Sequence, residues 1–93
     1  MAVILEGYIR VPHKELETIK NHLSEHVENT LNEVGCLAFD VKQDDSDECV
    51  FRVFEKFIDR DAFHAHQVRA KASDWARVTE NVERVYEEML DDS

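Results

Sequence analysis

The chain has 93 residues, 43% of them hydrophobic, with only two glycines, one proline and a formal net charge of −10. That length reads as a single domain over residues 1–93, small enough to bury only about 60–65% of the surface its unfolded chain exposes, so a partner surface would help it. The composition excludes a disordered chain, the acidic balance and scattered Lys and Arg exclude a nucleic-acid partner, and no apolar run approaches the roughly 20 residues that span a bilayer.

The first eleven residues lack the basic start and long apolar core of a signal peptide, so the expected location is cytoplasmic. Val3, Leu5, Ile9 and Val11 alternate with Glu6, Tyr8 and Arg10 as a first strand, which Pro12 ends. From His13 to Val34 the residues Leu16, Ile19, Leu23, Val27, Thr30 and Val34 recur at helical spacing, and Gly35 suits the cap of that helix. Leu37–Lys42 and Val50–Ile58 then read as a hairpin turning near Asp45 and Ser46, with the acidic cluster Asp44–Glu48 as a solvated turn.

Asp59 is placed to cap a second helix whose inward face carries Ala62, Phe63, His66, Arg69, Ala70 and Ser73, with His64 on the opposite side. That helix is expected to break near Ser73 and Asp74, because Trp75 and Val78 do not continue the stripe. Asn81–Met89 reads as a last strand, in which Val82, Arg84 and Tyr86 alternate with Val85. The acidic run Glu87–Asp92 reads as a frayed, solvated end.

This order predicts an α+β, ferredoxin-like βαββαβ domain with two helices on one face of an antiparallel sheet. The third strand carries Phe51, Val53 and Phe57 on one face and Val50, Phe54 and Ile58 on the other. Helices cover only one of those faces, so the other calls for a second copy of the chain.

Two cysteines, Cys36 and Cys49, fall at opposite ends of the hairpin. With Cys49 near Lys42 in register, they stand roughly 20 Å apart, beyond the ~7 Å that a disulfide tolerates, and both are expected to be free, ordinary buried strand residues. His22 and His26 have the one-turn spacing of a zinc pair, but no third ligand is identifiable, so no metal is expected.

The segment from Phe54 through Asp59 to His66 and Arg69, set within Phe51–Trp75, resembles the strand-to-helix signature of the antibiotic biosynthesis monooxygenase family. The run Glu33–Val41 is similar to that family's helix-to-strand junction, and Phe57–Arg77 is most similar to its small quinol monooxygenases. The resemblance implies a homodimer forming a shared α/β barrel, with a pocket between sheet and helices in each protomer. It further implies oxidation of a small aromatic quinol or polyphenol by O2, with no metal or prosthetic group as cofactor. The alternatives are a noncatalytic dimeric module that binds a small ligand, and an isomerase of a small carbonyl compound.

Carried onto this chain, the resemblance makes His66 the expected base and Arg69, one turn on, the expected holder of the resulting oxyanion. Trp75, Phe39 and Phe57 form the expected aromatic wall for a flat ring. His26 lies on the flank of the first helix's stripe, where it either reaches the same cavity or sits as a boundary residue. Glu55 falls on the face of Phe51, Val53 and Phe57 and needs a partner there, with Arg69, His26 and His66 as candidates. The first strand has no asparagine, which argues against the haem-degrading branch.

Overall fold

A computed structural model describes residues 1–91. Asp92 and Ser93, where the acidic run ends, lie outside the described residues. Strand β1 (Ala2–Arg10) leads through a 3-10 turn at His13–Glu15 into helix α1 (Leu16–Leu31), then strands β2 (Cys36–Gln43) and β3 (Val50–Phe57). Helix α2 (Arg60–Lys71), a short helix α3 (Asp74–Val78) and strand β4 (Glu83–Asp91) follow. The four strands form one antiparallel sheet in the order β2-β3-β1-β4, the ferredoxin-like arrangement.

Local chemistry accounts for each boundary. Pro12 starts a tight turn closed by the Glu15 amide on the Pro12 carbonyl, which delays the regular helix to Leu16. At the other end α1 stops at Leu31, so Val34 leaves the expected apolar stripe and is 95% exposed. Gly35, at φ +94°, redirects the chain into β2. An added Cβ there would stand 2.7 Å from the Ala62 Cβ, so both conformation and space require glycine.

Asp44 accepts hydrogen bonds from the Ser46 amide and hydroxyl, the Asp47 amide and Arg52, which builds the β2–β3 turn. The register sets Lys42 opposite Arg52 and Cys36 opposite Phe57, rather than Cys49 near Lys42. Cys49 precedes β3 instead of lying within it, and both free cysteines are half-buried rather than buried. Asp59 caps α2 by accepting from the Ala62 amide at 2.8 Å, and the expected break appears at Ala72–Ser73. The last strand runs to Asp91, so most of the acidic run that was expected to fray is paired with β1.

The helices cover the sheet face that carries Val3, Ile9, Phe51, Val53, Glu55 and Phe57. The core beneath them is divided. One cluster holds Ile9, Val11, Leu16, Ile19, Phe51, Val53 and Val82, and the other holds Val3, Phe57 and Phe63. Glu55 lies in the gap between them, paired across the sheet with Leu5. The opposite face presents Ile4 and Tyr8 from β1, Phe54 from β3 and Val85 and Met89 from β4, and among the described residues no helix packs on it. Among the described residues no helix is long and apolar enough to cross a membrane.

Candidate functional site

The gap in the core opens into a cleft of about 400 Å³ lined by residues of the sheet, α1, α2, α3 and the turn after α3. Glu55 and Leu5 contribute from the central strands, His66, Phe63 and Gln67 from α2, and Trp75 from α3. Arg84 and Tyr86 reach it from the edge strand β4. Alternation in β3 forces Glu55 inward between Val53 and Phe57, and the Asp59 cap fixes α2 so that Phe63 and His66, one turn apart, face the same interior.

Three buried ionisable groups meet here, with Glu55 5% exposed, His66 6% and His26 7%. His66 Nδ1 lies 2.7 Å from Glu33 Oε1, and its Nε2 lies 3.7 Å from Glu55 Oε1. A carboxylate only accepts, so the Glu33 contact puts the hydrogen on Nδ1 and leaves the Nε2 lone pair directed at Glu55. Glu33 Oε2 in turn accepts from Arg69 Nε at 2.8 Å, and Arg69 Nη2 donates to the Thr30 hydroxyl at 3.0 Å.

Burial governs the proton affinities. Loss of water pushes Glu55 up from 4.5 to about 7, with the negative charge of Glu33 adding to the rise and Arg84 opposing it. Burial also lowers His66, against the hydrogen bond and charge of Glu33, so the ring is neutral near pH 7. His26 drops to about 3, first from burial, then because two imidazoles this close do not both protonate, and then from the positive charges of Arg69 and Arg84. Its Nδ1 is buried without a hydrogen-bond partner among the described residues. Tyr86 rises to about 12, from burial of its hydroxyl and then from Glu55, with Arg84 opposing. It therefore remains a donor, although the residue as a whole is 37% exposed.

The aromatic residues expected as a wall are joined through the two histidines. Trp75 stacks on His26 at 4.7 Å between centroids and 7° between planes, while Phe39 meets His26 edge-on at 5.4 Å. Phe57 packs on His66 at 4.9 Å but, like Phe39, does not line the cleft, and Phe39 lines a narrower recess instead, so of the three expected wall residues Trp75 alone faces the cleft. His66, His26, Glu55 and Trp75 are thus gathered around one space. Arg69 is not among the residues lining that space, because its guanidinium is drawn to Glu33 and Thr30. Of the three candidate partners for Glu55, His66 is the one within 4 Å. His22 is spent on the Thr18 carbonyl at 2.9 Å.

Glu33, Thr79, Arg84 and Tyr86 are site residues that the sequence reading did not single out. For Arg84 and Tyr86 a signal existed, since their alternation with Val85 places both on the covered face. Glu33 carried no such signal.

The antibiotic biosynthesis monooxygenase family model matches residues 2–78. A comparison with curated proteins finds no match. Among solved structures, a Nitrosomonas europaea protein named for the same family superposes with a TM-score of 0.78 at 22% identity, covering 96% of this chain and 94% of its own. PA3566 from Pseudomonas aeruginosa gives 0.76 at 23% identity, with 95% and 88% covered. A structure named as an antibiotic biosynthesis monooxygenase gives 0.74 at 22% identity, with 100% and 98% covered. At these identities the likeness is one of fold.

Proposed function

Because the chain belongs to the antibiotic biosynthesis monooxygenase family, we propose that it is a cofactor-independent monooxygenase oxidising a small aromatic quinol or polyphenol with O2. The observation that carries this reading is the juxtaposition of a neutral, inward-facing His66 and a high-affinity Glu55 in a cleft walled by Trp75. A hydroquinone becomes reactive toward O2 when it loses a proton, and the neutral imidazole and the neighbouring carboxyl are the groups placed to take it. His66 Nε2 takes the phenolic proton, and Glu33 on Nδ1 stabilises the imidazolium that forms. Arg69 acts through Glu33, holding that carboxylate in place rather than touching the substrate.

Once deprotonated, the ring donates electrons to O2. One oxygen atom enters the ring, the other leaves as water, and the substrate supplies all the electrons, so a hydroquinone and O2 give a hydroxyquinone and water. Tyr86, kept protonated, supplies a donor for the developing oxygen charge, and the apolar lining limits water. The chain acts as one domain over residues 1–93 and pairs with a second copy through the uncovered face of Ile4, Tyr8, Phe54, Val85 and Met89.

Oxygen uptake by metal-stripped protein over a panel of reduced naphthoquinols and polyphenols tests this, with His66→Ala as the control above autoxidation. Uptake by wild type alone supports the reading. Turnover retained in His66→Ala removes His66 from the mechanism. Silence across the panel turns the search to a bound ligand, or to proton transfer on a carbonyl compound without O2.

A further inference from the structure

Arg84 differs from every other arginine of the chain. Arg10, Arg52, Arg60, Arg69 and Arg77 each lie within 4 Å of a carboxylate. Arg84 has no such partner among the described residues. It is held instead by neutral acceptors: Nη2 donates to Thr79 Oγ1 at 2.7 Å and Nη1 to the Thr79 carbonyl at 3.3 Å. Thr79 is fully buried, and its own hydroxyl donates to the Trp75 carbonyl at 2.6 Å, so the guanidinium is anchored to the helix that carries the aromatic wall.

A guanidinium has five N–H donors, and Thr79 takes two of them. The remaining donors stand beside the cleft that Arg84 and Tyr86 both line. Resting on the oxygenase reading above, we propose that Arg84 receives a carboxylate substituent of the aromatic substrate, so that the cleft selects hydroxylated aromatic acids over neutral quinols.

The surrounding charges fit. Lys71 adds a second cation to the lining and Glu80 an opposing anion, while Glu55 is largely neutral below pH 7. The net charge of −10 repels anions at long range, but a Debye length of about 8 Å at physiological salt screens distant groups far more than a direct contact. A guanidinium without a resident carboxylate, fixed in place by neutral hydrogen bonds, is preorganised for a charge-assisted pair.

The test is an anaerobic calorimetric titration of 2,5-dihydroxybenzoate and methylhydroquinone into wild type, Arg84→Gln and Arg84→Lys. The two ligands share the ring and both hydroxyls and differ in carboxylate against methyl. Wild type should bind the acid about tenfold more tightly or better, Arg84→Gln should bring the two within about twofold, and Arg84→Lys should keep part of the preference. Equal affinities in wild type, no binding of either ligand, or a preference that survives in Arg84→Gln would each overturn the inference. The outcome is separable from the oxygenase reading. Preference for the acid without oxygen uptake upholds the inference and removes the oxygenase, whereas uptake with equal KM for both ligands does the reverse.

Discussion

Replacing Glu55 with Gln should make the protein more stable at pH 8 and barely change it near pH 4. In the unfolded chain the carboxyl has its ordinary value of 4.5, and in the folded protein it is pushed up to about 7. Between those values the folded state binds more protons than the unfolded state, so stability falls as pH rises and levels off above pH 7. At about 1.36 kcal/mol per pH unit, the gap between 4.5 and about 7 comes to roughly 3 kcal/mol of destabilisation at alkaline pH. With only 5% of the residue exposed, little of this is lost to solvent screening.

Gln keeps the shape and never ionises, so its advantage over wild type should grow by about 2–3 kcal/mol between pH 5 and pH 8. For a domain of this length that is a rise in Tm of the order of 10 °C relative to wild type. Urea unfolding of both proteins at matched chain concentration across pH 4–9 measures it, because groups common to the two cancel in the difference. An advantage independent of pH would refute the claim that burial raises Glu55. The variant should also be a slower enzyme, as expected where a destabilised group serves chemistry.

The same titration should shape turnover: kcat/KM for a quinol should climb with pH and level off above about 7 as Glu55 ionises, and Glu55→Gln should flatten that limb in a pH–rate profile. Glu33→Gln keeps an acceptor for His66 Nδ1 but removes the negative charge that stabilises the imidazolium and holds Arg69, so kcat should drop about tenfold or more while KM moves little, read by oxygen uptake under saturating substrate. Phe54→Asp places a charge at the centre of the uncovered sheet face. Sedimentation should find a wild-type mass of two chains and a variant mass of one, and a wild-type mass of one chain at micromolar concentration would sink the dimer.

Much of the architecture was legible because it is written in period. The alternation in β1 and β3 and the stripe of α2 placed Phe57, Glu55 and His66 on one interior, and Asp59 announced the start of the helix that carries His66. What was illegible depends on side-chain reach and on where helices stop. A helix running to Val34 places Glu33 in its last turn. Because α1 ends at Leu31, Glu33 instead lies in the turn before Gly35 and leans onto α2.

Arg69 sits one turn beyond His66 as the stripe requires, yet its long side chain is captured by Glu33 and Thr30, contacts that no local pattern encodes. Arg84 and Tyr86 lie in an edge strand rich in glutamate, where charge commonly signals a solvated rim. Their place at the cleft depends on pairing with Ile9 and Gly7 across the sheet, a long-range fact.

The interruption at Ala72–Ser73 divides labour within the molecule. His66 stands on the longer helix α2, clamped by Glu33 and by its cap, whereas Trp75 and the anchor of Arg84 belong to the five-residue α3 and the turn behind it. A helix that short has little stability of its own, and its position is set by what it packs on. Substitutions there can reshape the contour offered to an incoming molecule while leaving the proton-handling residues undisturbed. A lineage built this way can change its diet without reinventing its reaction, which makes α3 and β4 the places to vary in a library aimed at new substrates.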